Sequence, residues 1–313
     1  MAADRVRIEQ ALLQSVATSD DLLSEMAAHL IKAGGKRLRP IMAIAAALTA
    51  HDEASDDVVR GGVAVELVQV GSLYHDDVMD EAELRRGAVS ANARWGNHRA
   101  ILAGDFLLAR ASEIAASLGA EVAGLLGSTI GRLVEGQILE LRTQYDVTRT
   151  EASYLSSIEG KSASLFAAAA RIGALVANLP RHEVDALTEC GLAYGMAFQI
   201  VDDILDLTAS EEELGKPAGH DMIEGIYTLP VIHHLASGAG ADLRGLLSDR
   251  VDAVTVDEAL GIVRVNGGLP YAEQVARRYA DRAEAAVAEL ADRPATRALG
   301  SAAHRLIDSV TRS

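Results

Sequence analysis

The sequence predicts an all-α protein, a bundle of packed helices, on three observations. Apolar residues recur at spacings of three and four almost throughout, and strand-like alternation is nearly absent. Aromatic residues make up only 4% of the 313 positions while Ala, Leu, Val and Ile are abundant, which favours packed helices over a β-sandwich. The six prolines each fall at or near a break in the helical pattern, where a missing N–H matters little.

Taken in order, the spacing places helices at 4–16, 20–32, 38–50, 55–80, 91–118, 121–145, 151–177, 181–208, 228–237, 256–266, 269–291 and 295–310. Ser19 and Asp20 are candidate caps for the second helix, and Thr148 and Thr150 for the one that begins near 151. Pro40, Pro180, Pro217, Pro230, Pro270 and Pro294 punctuate the junctions. The helices at 55–80, 91–118, 121–145 and 181–208 are apolar on more than one face and belong inside the bundle. No composition break or linker divides the chain, so residues 1–313 are expected to form a single domain, and no short tandem repeat is present.

Composition excludes several classes of function. A formal net charge of -16, with no concentrated basic face, argues against a nucleic-acid partner. One cysteine, Cys190, permits no intrachain disulfide and fits a reducing compartment. No apolar run is long enough to span a bilayer. The start MAADRVRIEQ lacks the apolar segment of a signal peptide, so a cytoplasmic location is expected.

The chemistry gathers in two acidic clusters. Asp76, Asp77 and Asp80 close one helix and are followed by Arg85 and Arg86; Asp202, Asp203 and Asp206 lie in the apolar run GLAYGMAFQIVDDILDL. Positions i and i+4 share a helix face, so Asp76 and Asp80 point one way, as do Asp202 and Asp206. Carboxylates this dense repel one another unless a cation lies between them, and Mg2+ favours one or two carboxylates, waters and phosphate oxygens. A lone DDxxD reads as a solvated helix end; a second one embedded in apolar sequence needs partners. GGKRLRP offers Lys36, Arg37 and Arg39 after two glycines, GKS offers Lys161 and Ser162, and GKPAGHD offers Lys216 and Asp221. Forked guanidinium donors suit phosphate oxygens. Two acidic clusters with these cations make a clamp for a diphosphate.

In this order, GGKRLRP, DDVMD with RRG after it, GKS, FQIVDDILD, GKPAGHD and TLP, the chain resembles the trans-isoprenyl diphosphate synthases, or polyprenyl synthetases, over nearly its whole length. The resemblance implies an isoprenoid synthase-type helical bundle around a deep central cavity, a homodimer, and three Mg2+ ions. It implies that Asp76 and Asp80 ligate two Mg2+, and that Asp202 holds the third with Asp203 and Asp206 around it; Asp77 completes the first cluster. Lys36, Arg39, Gln69 and Arg86 match the isopentenyl diphosphate site. Arg85, Lys161, Ser162, Gln199 and Lys216 match the allylic site. Ile226 stands where many members carry a lysine before TLP, so weaker allylic diphosphate binding is expected. The implied reaction ionises the allylic diphosphate and lets the double bond of isopentenyl diphosphate attack the cation, with the pyrophosphate taking the proton. Ser162 and Gln199 would steady the cation through oxygen dipoles.

Product length should depend on what lies one turn before Asp76. Ser72 and Gly71 are small, and the next turn brings Leu67 and Val68. One isoprene unit is about as long as one helical turn, roughly 5 Å, so an open tube there predicts an all-trans product of about six to ten units (about C30–C50). If Gly71 serves helix packing instead, Leu67 or Val68 forms the floor and the product is a geranylgeranyl or geranylfarnesyl diphosphate. On the open-tube reading Gly71→Phe shortens the product. A class I terpene cyclase would need a different second metal motif and no second diphosphate site, and a modulating partner subunit would lack one acidic cluster. A lipid-like product makes transient membrane contact an expectation.

Overall fold

Helix α4 (Asp56–Met79) shows why the chain folds as it does. It has almost no amphipathic asymmetry, and from Val58 to Tyr74 nearly every residue is buried, as a helix apolar all round requires. Ser55 caps it, accepting from the Val58 N–H, and Asp56 and Asp57 complement the dipole of the first turn. The structure, a computed structural model, describes residues 2–209, 218–247 and 253–311. The chain packs as two units.

The first unit comprises Met1–Ile130, Leu165–Gly191 and Glu289–Arg297. Its helices are α1 (Ala2–Ser15), α2 (Asp21–Lys32), α3 (Leu38–Ala47), α4, α5 (Ala91–Trp95), α6 (Asn97–Ser117), the start of α7 (Ala120–Arg142), most of α9 (Ser164–Val176) and the start of α10 (Arg181–Thr208). Helix α4 is flanked by α6, α3 and α1. Ile8, Leu12, Leu30, Ile44, Leu67 and Leu107 are fully buried, each contributing about 1.5–3 kcal/mol.

The second unit comprises Gly131–Ser164, Leu192–Ala288 and Ala298–Ser313. It contains the end of α7, α8 (Glu151–Ile158), the end of α10, α11 (His220–Ile223), α12 (Leu229–Ala236), α13 (Ala241–Leu246), α14 (Ala253–Val265), α15 (Gly268–Val287) and the end of α16 (Pro294–Thr311). Helix α12 packs on α15, and Arg277 ties α15 to α16 through Asp308. Pro230 stands in the first turn of α12 and Pro294 opens α16, where no donor is lost.

The predicted helices form, with Asp20 and Thr150 capping as expected. Two short helices, α11 and α13, form where none was predicted, and three further local features depart from the expectation. The predicted 91–118 helix breaks at Gly96 (φ 83°), which ends α5 and starts α6. The predicted 151–177 helix is interrupted at Glu159–Ala163 by a π-helical turn. After α4 the chain forms a small hairpin, β1 (Leu84–Arg85) against β2 (Ala88–Val89). Its two-residue turn is Arg86-Gly87, both at positive φ (56° and 74°), the geometry that matches strand twist. Among the described residues no helix is long and apolar enough to cross a membrane.

Candidate active site

The first acidic cluster sits on the last turn of α4. Asp80 is the C-cap and exposed, Asp76 is half-buried, and Asp77 is fully buried. The Arg85 Nε donates to Asp77 Oδ1 at 2.5 Å, while Asp77 Oδ2 is buried with no hydrogen-bond partner. Burial pushes the Asp77 carboxyl above its usual range and Arg85 pulls it back. The turn after the helix makes this contact: past the C-cap the chain bends at Glu81 (φ 50°), and the Ala82 N–H donates to the Asp77 carbonyl, so that β1 begins beside the helix end. Arg85, assigned to the allylic site from the resemblance, therefore also serves Asp77.

The hairpin turn carries Arg86 to the glycine loop. Its guanidinium donates to the carbonyls of Leu30 (3.1 Å) and Gly34. Arg5 donates to the Lys36 carbonyl at 2.9 Å, leaving the Lys36 side chain exposed. Arg39 lies over the Phe166 ring, 4.5 Å from its centroid. Arg37 differs from the reading that grouped it with the phosphate donors. It is buried, at φ 51°, and donates to Glu9 (2.7 Å), Glu66 (3.2 Å) and the Ile31 carbonyl (2.6 Å). Its fork is spent on holding the loop. Gln69 is half-buried on α4.

In the second unit the acidic cluster lies within α10. Asp202 is exposed, whereas Asp203 and Asp206 are buried. Asp206 Oδ2 accepts from the Asp221 N–H at 3.2 Å, which ties the cluster to α11. Asp203 Oδ1 accepts from Gln199 Nε2 at 2.9 Å, and its Oδ2 from the Tyr154 hydroxyl at 2.6 Å. Burial and the Asp221 charge hold the Asp203 carboxyl well above its usual range, opposed by those two donors. Ser162 Oγ donates to Gln199 Oε1 at 2.6 Å. Lys161 donates to Glu140 at 2.5 Å.

Lys161 and Ser162 lie in the π turn, a feature common at functional sites. The turn is seated on α7 through two glycines. A Cβ on Gly136 would fall 2.4 Å from the Lys161 nitrogen, and one on Gly160 2.7 Å from the Arg132 carbonyl, so neither position admits a side chain. Lys216 lies outside the described residues. Ile226 is half-buried and its N–H donates to the Asp221 carbonyl.

The chain-length positions are placed as follows. Leu67 and Val68 are buried in the core of α4. Gly71 is turned toward α6: a Cβ there would meet the Gly104 carbonyl at 3.1 Å and Leu107 Cβ at 3.4 Å. Ser72 is half-buried and donates to the Gln69 carbonyl. Tyr154, Arg149 and Glu140 are site neighbours that the sequence reading did not single out. The available signal was compositional, since a chain with 4% aromatics has few tyrosines to place beside GKS.

Among the described residues no group of three or more His, Cys, Asp or Glu side chains is gathered into a metal cage. Asp76 and Asp80, one turn apart at an accessible helix end, suit a hard cation that takes most of its ligands from water and phosphate. Asp77 Oδ2 adds a buried acceptor beside them.

A profile of the polyprenyl synthetase family matches residues 20–261. The chain is 40% identical over 298 residues to a nonaprenyl diphosphate synthase of Mycobacterium tuberculosis, covering 94% of this chain and 89% of that one. Its structure is similar to that of a heptaprenyl diphosphate synthase from Staphylococcus aureus (TM-score 0.93, 29% identity, 98% of each chain). It is also similar to a geranylgeranyl pyrophosphate synthase from Corynebacterium glutamicum complexed with calcium and isoprenyl diphosphate (TM-score 0.86, 38% identity, 99% of this chain and 96% of that one).

Proposed function

The chain belongs to the polyprenyl synthetase family, and from that premise we propose the reaction it performs and the residues that perform it. It is a trans-prenyltransferase that condenses isopentenyl diphosphate head-to-tail with an allylic prenyl diphosphate, giving an all-trans polyprenyl diphosphate of long chain. The observation that carries this is the family match across 20–261, which spans both aspartate clusters. Residues 1–313 act as one domain, working as a homodimer with no nucleic-acid partner and in transient contact with membrane through its product. The location is cytoplasmic.

Bound Mg2+, three ions in all, would neutralise the pyrophosphate as it leaves. Asp76 and Asp80 would hold two of them and Asp202 the third, with Asp77, Asp203 and Asp206 fixing the clusters from behind. Lys36, Arg39, Gln69 and Arg86 bind isopentenyl diphosphate; Arg85, Lys161 and Lys216 bind the allylic diphosphate. The allylic C–O bond breaks with its electron pair leaving on pyrophosphate. The isopentenyl double bond forms the new C–C bond, and the proton then lost goes to the pyrophosphate. Ser162, supported by Gln199, directs an oxygen dipole at the cation.

A second reading, a product of four or five units, is favoured by the direction of Gly71. A glycine needed for the approach of α4 to α6 says nothing about an open tube. The Corynebacterium relative is a geranylgeranyl synthase, which fits that reading. Both are tested by incubating the protein with Mg2+, labelled isopentenyl diphosphate and primers of two, three or four units, then sizing the dephosphorylated products. Products of six or more units support the long-chain reading. A stop at four or five supports the second, and no condensation with any primer overturns both.

A further inference from the structure

Tyr154 is a buried tyrosine whose ring would pack as well without its hydroxyl. A buried hydroxyl is costly to desolvate unless it has a partner. Here the partner is Asp203, at 2.6 Å. The tyrosine is held in turn. Arg149, also buried, has its guanidinium 5.6 Å from the Tyr154 ring centroid, and donates to the Tyr227 carbonyl (2.9 Å) and to Ser157 Oγ (2.7 Å). Tyr227 is fixed through its own hydroxyl to the Leu247 carbonyl.

Polarity then passes along a chain of hydrogen bonds. With one Asp203 oxygen taken by Tyr154, the other faces Gln199, and the Gln199 amide must present nitrogen to it. A flipped amide would set oxygen against oxygen. The amide oxygen is thereby turned to Ser162, which spends its only hydroxyl proton on it. What the Ser162 oxygen has left is lone pairs.

We propose that Tyr154 is a positioning residue that sets the direction of this relay, so that Ser162 offers the reacting allylic carbon lone pairs and never its proton. The proposal rests on the prenyl-transfer reading above. Lone pairs stabilise developing positive charge; a proton pointed the same way would oppose it. Tyr154 touches no substrate and acts through Asp203 and Gln199.

The test is Tyr154→Phe, checked for folding by circular dichroism. The expected result is a fall in kcat of about tenfold, smaller than for direct loss of an electrostatic donor. KM for both substrates should stay within about twofold, since uniform binding is untouched. In a Ser162→Ala background, Tyr154→Phe should add no further loss, because the two act through one path. Calorimetric binding of Mg2+ with inorganic pyrophosphate, read without turnover, should stay within about twofold of wild type. An unchanged kcat, losses that multiply in the double variant, or lost Mg2+–pyrophosphate binding would each overturn the relay. Should Tyr154→Phe not fold, Gln199→Leu breaks the same relay at its middle, since a leucine can neither donate to Asp203 nor accept from Ser162; an unchanged kcat there overturns it too. Failure of the wild-type protein to condense substrates would count against the prenyl-transfer reading instead.

Discussion

In α4 the middle aspartate of the cluster, Asp77, is held by a charge: Arg85 reaches it from β1, and one of its oxygens is left without a hydrogen bond. In α10 the counterpart, Asp203, is held by two neutral donors, Tyr154 and Gln199, one on each oxygen. The sequence spells both clusters DDxxD, yet the first runs onto the C-cap of α4 while the second stays within the last two turns of α10. At a helix end the chain can turn back and bring an arginine. Around Asp203, still within its helix, the donors come from the i−4 position and from a neighbouring helix. In both places one aspartate is anchored by protein while a neighbour, Asp80 or Asp202, is exposed. The motif thus contains two kinds of residue, anchors and presenters.

The largest effect should come from removing presenters. Asp80→Ala and Asp202→Ala are expected to lower kcat by about a thousandfold with little change in melting temperature, measured by product formation and calorimetry. Large unfolding in either variant would erase the distinction between anchors and presenters.

Anchors should behave in the opposite sense, and unequally. Arg85→Ala strands a buried carboxyl and should cost about 3 kcal/mol of stability in a urea titration. Tyr154→Phe removes a neutral donor and should cost about 1 kcal/mol. Equal costs would mean that the chemistry of the anchor is immaterial.

A third prediction concerns the face that was expected to set product length. Gly71→Phe must displace the Gly104 carbonyl, so it should lower stability by about 2 kcal/mol or more, whatever it does to the product. Ser72→Phe should shorten the product while leaving the melting temperature nearly unchanged. A stable Gly71→Phe with a shortened product would restore the open-tube reading.

The smallest effect is a baseline common to both clusters, from groups outside them. Burial pushes the thiol of Cys190 and the hydroxyl of Tyr227 each up to about 12. The unfolded chain releases these protons at lower pH than the folded one, so stability is fully present at neutral pH. It falls as pH rises from about 9 toward 12. Urea midpoints measured at pH 7, 9 and 10.5 should decline in that order. Native Cys190 should resist alkylation at pH 8 and react once the protein is unfolded.

The long helices were legible because apolar spacing of three and four is a direct image of burial, as in the middle of α4, where most positions are inside. The acidic clusters were legible because the same DDxxD spacing occurs twice, six carboxylates in all, and the second lies in apolar sequence where a solvated helix end does not explain it. Arg37 was misjudged for a local reason. It shares a phrase with Lys36 and Arg39, and only the packing of Glu9 and Glu66 against it shows which way it turns. The hairpin escaped because two residues per strand leave no alternation to detect, although Arg86-Gly87 is a turn-prone pair. Tyr154 and Arg149 escaped because the partners that give them meaning, Asp203 and the Tyr227 carbonyl, lie 49 and 78 positions away.

The π turn at Glu159–Ala163 carries one residue more than an α-helix of the same rise needs. Deleting a single residue there would let an unbroken i→i−4 ladder run through the segment, and by backbone energetics alone the shorter chain would be the better helix. The same deletion would rotate one side of the segment by about 100° against the other and carry Ser162 away from Gln199. For gene lineages this makes the stretch intolerant of losses that an exposed surface turn would absorb. It also makes it a position where, on the proposed role of Ser162, the more regular chain is expected to lose condensation activity.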